Sequence, residues 1–305
     1  MEKNLKNQVV SEVFISLEGE SQFCSHGTIY IRYARCNLKC PMFNNPDKMI
    51  SDDGYAQLNF VPSEYKTIYD IPVIEKGCDS QYSVNAKFAH MWHHLTTDEL
   101  VQQVVDLLPQ KSWVSPTTGL PIILSISGGE PSLFWKQIIP LMNHPLLEQC
   151  QHILFETNCS VPLSDKFIDA ITDWVAQSPT RMWTWSNSPK LSSSGEKKEV
   201  AIRPDIAAKQ ILPRQRVFVD NKQINQYFKF VAGDKDEDFE EVDQVMKQYY
   251  AAGIPFGTQI WIMPQACIEE QQVLIARAIA TRCMNNGYLY CHRMQNTLWG
   301  NGVGT

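Results

Sequence analysis

The sequence has no apolar run close to the roughly 20 residues that a membrane-spanning helix requires. Residues 1–8 are polar and charged and contain no apolar signal core. Basic residues are not in excess, because 27 Lys and Arg stand against 33 Asp and Glu, for a formal net charge of −6. These absences predict a cytoplasmic protein with no membrane partner. They argue against direct nucleic-acid binding over a broad basic face and favour a small-molecule partner.

A paired set of cysteines is also lacking. Nine cysteines are an odd number, and without a sign of export they disfavour a disulfide framework. A single cysteine is usually a buried, small apolar residue, so only a spaced cluster indicates a site. There is no internal repeat or low-complexity tract. The 305 residues, 44% apolar and 20% charged, predict one large domain, 1–305, with a sizeable core.

Short β-branched or aromatic runs alternate with helical patterns along the chain. Strands are predicted at 28–33, 122–127, 152–158, 182–188, 227–232, 258–264 and 288–294. Helices are predicted at 98–108, 135–147, 164–176, 237–252 and 269–285. Thr96 and Glu99 have the spacing of a capping box before the first helix. The alternation predicts an α/β fold with a parallel sheet, and an open or partial (β/α) barrel fits the count.

Three stretches do not follow this alternation. Residues 41–77 contain four prolines and no clear period, which predicts an inserted loop or subdomain. Residues 192–226 are polar, and their charged run 195–199 is typical of a solvated surface. Trp92, His93 and His94 form a third cluster, for which we expect surface or packing roles rather than metal binding.

Cys36 and Cys40 follow the first predicted strand on a loop, where ligands gather in parallel α/β folds. Thiolates at this spacing converge on an iron–sulfur cluster or a zinc ion, or the spacing is a coincidence. A third ligand is needed. Phe43 stands where a C-x3-C-x2-C pattern places its third cysteine, and Cys78 appears only after the Pro-rich stretch.

A second motif, Ser127-Gly128-Gly129-Glu130-Pro131, ends the next predicted strand. The two glycines permit a close backbone approach that a Cβ would block. The carboxylate of Glu130 can accept hydrogen bonds from an ammonium group. The alternative is a simple turn that contains two glycines.

Together these motifs resemble those of radical S-adenosylmethionine (SAM) enzymes and, among them, the 7-carboxy-7-deazaguanine synthase family. The string Cys78-Asp79-Ser80 resembles the family segment that directly follows its first two cysteines. The resemblance implies that residues 41–77 are inserted in the cluster loop and that Cys36, Cys40 and Cys78 hold a [4Fe–4S] cluster. An insertion whose ends stay close costs little closure entropy. The alternative is a structural Cys78 and a lost cluster.

The resemblance also implies which residues bind SAM, and they lie at successive strand ends. Cys159 stands where the family usually has glycine, directly after Glu156-Thr157-Asn158. The residues implied for SAM are Gly128, Gly129, Glu130, Glu156, Asn158, Ser188, Pro189, Lys190, Met263, Pro264, Gln265 and Ala266.

For the substrate, the resemblance implies contacts from an N-terminal segment, two strand residues and the chain's last residue. Glu18 replaces the family's glutamine, and Ser127 replaces a threonine while keeping its hydroxyl. Ser80 replaces the threonine that binds Mg²⁺ in the family and keeps a hard oxygen ligand. The residues implied for substrate are Leu17, Glu18, Gly19, Arg32, Ser127 and Thr305.

The implied reaction is the ring contraction of 6-carboxy-5,6,7,8-tetrahydropterin to 7-carboxy-7-deazaguanine and ammonia, and its product serves queuosine-type nucleoside synthesis or, in some systems, DNA modification. The cluster and SAM would supply a 5′-deoxyadenosyl radical, so no catalytic residue is assigned beyond the cofactors. An electron donor such as flavodoxin or ferredoxin is implied, and a homodimer is compatible with the resemblance. Two rivals stay open: a radical SAM enzyme of another substrate class, such as a glycyl-radical activase, and a non-catalytic binding protein that has lost the cluster.

Overall fold

A computed structural model describes residues 6–211, 223–300 and 302–304. In these residues nine strands form one sheet: β1 (Gln8–Leu17), β2 (Gly27–Tyr33), β3 (His93–Leu95), β4 (Ile123–Gly128), β5 (His152–Thr157), β6 (Met182–Asn187), β7 (Ile224–Ala232), β8 (Ile260–Pro264) and β9 (Leu289–Tyr290). The α-helices are α1 (Gln81–Val84), α2 (Thr97–Asp106), α3 (Trp135–Met142), α4 (Asp165–Ala176), α5 (Lys198–Ala201), α6 (Pro204–Gln210), α7 (Asp236–Ala251), α8 (Glu269–Asn286) and α9 (Met294–Trp299).

The strand order is β3-β1-β2-β4-β5-β6-β7-β8-β9, and every pair from β2 to β9 is parallel. All seven predicted strands are present, and the α/β fold class is confirmed. The sequence did not predict β1 and β3, which pair antiparallel at one side of the sheet. The short connection from β1 to β2 permits only an antiparallel pair, since a parallel pair needs a long crossover.

Several predicted boundaries were wrong. The strand predicted at 288–294 ends at Tyr290, and α9 begins at Met294. The helix predicted at 135–147 ends at Met142, and a separate 3₁₀ turn follows with Pro145 at its start. The polar stretch 192–226 contains α5 and α6, although its residues 212–222 lie outside the described part of the chain.

The main core lies between the sheet and its helices. Its largest fully buried side chains include Trp174, Trp183, Trp185, Phe155 and Phe167, which pack as stacked and edge-on ring pairs. Such pairs contribute about 0.5–1.5 kcal/mol each beyond the burial of their area. This core fixes β5 and β6, whose carboxyl ends carry predicted site residues.

The predicted capping box is confirmed at the start of α2. The Thr96 hydroxyl accepts from the Glu99 backbone N–H at 3.1 Å, and the Glu99 carboxylate accepts from the Thr96 N–H at 2.8 Å. Beside it, Trp92 is buried and donates from Nε1 to the Tyr82 carbonyl at 2.9 Å, while His93 is exposed. The packing and surface roles predicted there are confirmed.

The two ends of the sheet approach each other at the carboxyl side. The Met294 N–H donates to the Gly19 carbonyl at 3.1 Å, and the Ser21 N–H donates to Cys291 Sγ at 3.3 Å. The segment after β1 therefore touches the segment after β9. The sheet is curled as in a partial barrel, and loops bridge its open side.

Residues 41–77 form an irregular segment, as predicted, with a 3₁₀ turn at Pro62–Glu64 and an isolated bridge between Ile50 and Ala56. A small second hydrophobic cluster joins this segment to α1 and the turn after it; its buried members are Ile68, Ile74, Tyr82, Phe88 and Met91. In the described residues no helix is long and apolar enough to cross a membrane.

Candidate functional site

A cavity of about 260 Å³ opens at the carboxyl ends of the strands, where parallel α/β folds bind ligands. Nearly all of the predicted site residues in the described parts of the chain line it. They are Leu17, Glu18, Gly19, Arg32, Cys36, Cys40, Cys78, Ser80, Ser127, Gly128, Gly129, Glu156, Asn158, Ser188, Lys190, Met263, Pro264, Gln265 and Ala266. The fold thus gathers segments that are up to 249 positions apart in the sequence around one space, from Leu17 to Ala266.

Three predicted residues are not among the lining. Glu130 is fully buried beneath the cavity, and its carboxylate accepts from the Thr157 hydroxyl at 2.7 Å and the Asn158 N–H at 2.7 Å. Burial raises the pKa of this carboxyl. Pro189 is also absent from the lining, and Thr305 lies outside the described residues. In this structure Glu130 joins β4 to the end of β5, so its contact with SAM stays a prediction.

The thiol end of the cavity contains Cys36, Cys40 and Cys78. Burial raises the pKa of Cys36 and of Cys40 to about 12. Burial also raises the pKa of Cys78, and the nearby thiols of Cys40 and Cys36 add to the effect. The three thiols therefore influence one another electrostatically. None of the nine cysteines, all within the described residues, forms a disulfide.

Among the described residues, no group of three His, Cys, Asp or Glu side chains is arranged to hold a single metal ion. A [4Fe–4S] cluster does not require the thiols to converge on one point, because each cysteine binds a different iron of the cube. Three thiols spread around one cavity suit such a cluster better than they suit zinc. Binding iron would displace the protons that these thiols otherwise keep.

The two glycines of the Ser127–Pro131 motif line the cavity, and they also permit close packing within the chain itself. A Cβ on Gly128, whose φ is +147°, would lie 2.2 Å from the Tyr33 carbonyl oxygen. A Cβ on Gly129 would lie 2.2 Å from the Arg35 carbonyl oxygen. The backbone of Gly128 and Gly129 therefore lies very close to the backbone that leads into the Cys36–Cys40 loop. The two glycines allow this loop to pack on the end of β4.

Asparagines hold the first part of this loop. Asn158 Nδ2 lies 3.6 Å from Cys36 Sγ and donates to Asn37 Oδ1 at 2.9 Å. Asn37 in turn donates to the Ser160 hydroxyl at 2.8 Å. Between them, Cys159 has φ +56°, the left-handed conformation that explains why glycine would be favoured at this position.

The charged end of the cavity contains Glu18, Glu20, Arg32, Lys229 and Arg293. Lys229 forms an ion pair with Glu20 and lies 3.8 Å from Glu156. Although burial opposes its charge, these carboxylates raise the pKa of Lys229 well above its usual value. Likewise, burial opposes ionisation of Glu20, but Lys229 and Arg293 lower its pKa to about 2. Both members of the pair are therefore charged at neutral pH.

Glu18 behaves in the opposite way. Burial, together with the charges of Glu156 and Glu20, raises its pKa to about 8. Its carboxyl accepts from the Tyr30 hydroxyl at 2.8 Å and from the Glu20 N–H at 3.1 Å. At neutral pH Glu18 is thus mostly protonated, so its carboxyl can donate one hydrogen bond as well as accept.

Arg293, Lys229 and Glu20 were missed as site residues from the sequence. Arg293 donates to Asp79 at 2.6 Å and to the Ala266 carbonyl at 2.5 Å, which links the segment beside Cys78 to the loop after β8. The sequence does contain a signal for Lys229. It lies inside the apolar run of β7, and a lysine in such a position is rarely buried without a partner. No comparable signal marked Arg293.

Arg32 and Ser127 form the remaining polar wall of the cavity. Arg32 Nε is 2.6 Å from Glu12 Oε1, which also accepts from the Tyr82 hydroxyl at 2.8 Å. Burial opposes the guanidinium charge, but Tyr82 and Glu12 raise the pKa of Arg32. The buried Ser127 hydroxyl has no hydrogen-bond partner among the described residues. A buried hydroxyl of this kind indicates a polar ligand in the cavity.

Comparisons with known proteins find relatives that share one name. No protein-family model matches the chain. The 7-carboxy-7-deazaguanine synthase of Rhodopirellula baltica is 23% identical over 300 residues, which cover 97% of this chain and 88% of that protein. The enzyme of the same name from Bacteroides thetaiotaomicron is 24% identical over 210 residues, 69% of this chain and 79% of that protein. The crystal structure of QueE from Escherichia coli aligns over 93% of this chain and 92% of that chain, at 15% identity and a TM-score of 0.47.

The curled α/β sheet and the motifs at its strand ends define the class of protein as a radical SAM enzyme, which implies a [4Fe–4S] cluster and SAM as cofactors. Within this class, the chain is similar over 97% of its length to a protein named 7-carboxy-7-deazaguanine synthase, and two further relatives have the same name.

Proposed function

We propose that this chain converts 6-carboxy-5,6,7,8-tetrahydropterin to 7-carboxy-7-deazaguanine with release of ammonia. The observation that carries the proposal is the cavity itself, which has three thiols at one end and a dense set of charged groups at the other. The names of the curated relatives support the same reaction. A ligand with a carboxylate and several ring donors and acceptors matches the polar lining better than an apolar ligand does.

At the thiol end, Cys36, Cys40 and Cys78 would hold the cluster. Support for Cys78 comes from the two ends of the irregular segment, because the Gly77 N–H donates to the Phe43 carbonyl at 2.6 Å. Phe43 occupies the usual position of the third cysteine, and this hydrogen bond brings Cys78 directly beside it. The segment between them is a long loop whose two ends meet, which is the geometry expected for an insertion in one domain.

When bound, the cluster and SAM would supply the radical chemistry needed for hydrogen abstraction. The chain's own residues then bind and orient the two ligands. We assign SAM to the wall formed by the ends of β4, β5, β6 and β8, where Lys190 and Gln265 line the cavity. We assign the substrate to the charged end, where Arg32 presents a guanidinium to the cavity. An arginine fork pairs well with a carboxylate such as that of the pterin.

The proposal also includes a Mg²⁺ ion bound near Ser80. Ser80 lines the cavity beside Cys78, and its hydroxyl lies 3.3 Å from Asp79 Oδ1. Two protein oxygens would make a weak site that substrate and water must complete. We expect magnesium to increase turnover and Ser80→Ala to decrease it while iron content is unchanged. Activity indifferent to both changes would remove magnesium from the mechanism.

The proposal also includes a cytoplasmic reaction that depends on an electron donor such as flavodoxin or ferredoxin. The proposal includes a homodimer, and chromatography with light scattering measures that state directly.

The test is anaerobic reconstitution with iron and sulfide, followed by incubation with SAM, reductant and the pterin and by mass analysis of the products. We expect 7-carboxy-7-deazaguanine and ammonia. A glycyl-radical activase would take up the cluster and leave the pterin unchanged. A non-catalytic binding protein would take up no cluster, and either result would overturn the proposal.

A further inference from the structure

Glu196 contacts the Cys36–Cys40 loop at the point where the irregular segment begins. Its Oε1 accepts from the Lys39 N–H at 2.6 Å and from the Cys40 N–H at 2.7 Å. Hydrogen bonds from backbone N–H groups to a carboxylate are charge-assisted and stronger than neutral ones. The run 195–199 was predicted to be a solvated surface; Glu199 is exposed, whereas Glu196 is half-buried.

The turn that carries Glu196 is itself fitted to the loop. The Met42 N–H donates to the Ser194 carbonyl at 3.0 Å, and the Glu196 N–H donates to the Ser194 hydroxyl at 3.2 Å. Gly195 has φ +81°, and a Cβ there would lie 2.3 Å from Met42 Cγ. The turn and the loop therefore touch through backbone and side chain on both sides of Cys40.

Cys40 needs such support. Its φ of +46° lies in the left-handed region, which costs a non-glycine residue about 1–3 kcal/mol unless its surroundings hold it. In addition, the irregular segment 41–77 begins directly after Cys40, so the chain does not lead directly from Cys40 to the third cysteine. A contact from elsewhere in the fold has to fix the position of this thiol.

We propose that Glu196 is a positioning residue for the iron–sulfur cluster: it holds Cys40 in its ligating conformation and places a negative charge beside the cluster. The inference rests on the proposed function, because it takes Cys40 as a ligand. Residues around a metal site that orient its ligands typically contribute 10–100-fold to metal affinity. Net charge and hydrogen bonding near the sulfurs also set the reduction potential of a cluster.

The experiment compares three variants of the full chain after anaerobic reconstitution. Glu196→Ala removes both the acceptor and the charge, Glu196→Gln keeps an acceptor oxygen without the charge, and Glu199→Ala is the control for an exposed glutamate of the same run. The readouts are iron and sulfide content, the reduction potential of the cluster and its electron paramagnetic resonance spectrum, with thermal unfolding of each variant before reconstitution.

We expect Glu196→Ala to lose iron to a chelator at about 10–100-fold lower concentration than wild type. Glu196→Gln should keep the cluster but show a higher reduction potential, because a nearby negative charge favours the oxidised form. Glu199→Ala should match wild type in both. Wild-type iron retention in Glu196→Ala, or an unchanged potential in Glu196→Gln, would overturn the proposal. A wild-type chain that takes up no cluster would instead refute the proposed function.

Discussion

The two ends of the cavity are built in different ways. At the thiol end, the proposed ligands stand on loops, and hydrogen bonds from the loop backbone help to fix them, such as those that the Lys39 and Cys40 N–H groups donate to Glu196. At the charged end, the side chains stand on or directly after strands, and they fix one another. Lys229 lies within β7, and its partner Glu20 follows β1.

This difference explains how each end tolerates change. A loop held by backbone hydrogen bonds accepts an insertion, provided that its ends meet as Phe43 and Gly77 do. A cluster of buried charges does not, because each charge is stable only while its partner is present. We therefore expect the charged end to control stability and its pH dependence, and the thiol end to control cofactor content.

The largest expected effect on stability is at the charged end. Lys229→Met leaves the carboxylate of Glu20 buried without its main partner, and such changes cost about 3–5 kcal/mol. Urea unfolding of the variant measures this loss. The double variant Glu20→Gln, Lys229→Met should recover much of it, because the Glu20 carboxylate is then no longer buried without its main partner. A single variant within about 1 kcal/mol of wild type would show that the two ends do not differ as described.

A smaller effect concerns Glu18 and has a defined sign. Its pKa is raised to about 8, so between pH 4.5 and 8 the folded protein keeps a proton that the unfolded chain has released. The stability that this group contributes is complete below pH 4.5 and is lost as the pH rises through 8. Glu18→Gln should therefore become more stable than wild type as the pH rises, by roughly 1–3 kcal/mol at pH 8.

Denaturant titrations of both proteins at pH 5 and pH 8 give the comparison. Glu20 does not interfere, because its pKa of about 2 places its own loss of stability below pH 4.5. Parallel stability curves for wild type and Glu18→Gln would contradict a buried, protonated Glu18.

The smallest expected effect is at the chain's end. Val303 packs against the small hydrophobic cluster of the irregular segment, and a Cβ on Gly304 would lie 3.1 Å from the Tyr69 ring. Residues 302–304 also line the cavity. Deleting residues 302–305 should raise the KM for the pterin several-fold and leave iron content and SAM binding unchanged. Wild-type kinetics would show that the tail takes no part in closing the site.

The sequence predicted the thiol end far better than the charged end, and the reason is physical. Loop motifs such as Ser127–Pro131 are contiguous, so a few neighbouring residues in the sequence are enough to indicate their chemistry. Lys229 and Arg293 meet Glu20 only because the sheet curls, and that curl is a property of the whole chain. The antiparallel β1 was missed for a related reason, since its pairing depends on β2 and β3 rather than on a local period. The contact of Glu196 with the Cys36–Cys40 loop was equally unpredictable, because a charged run in the sequence does not indicate which other segment it contacts.

The most direct test of the account is the iron and sulfide content of three reconstituted cysteine variants. Cys267 lines the same cavity as the proposed ligands, so Cys267→Ala is a sharper control than the distant Cys24→Ala. We expect Cys78→Ala to lose the [4Fe–4S] cluster and both controls to keep it. A full cluster in Cys78→Ala together with a lost cluster in either control would contradict this expectation.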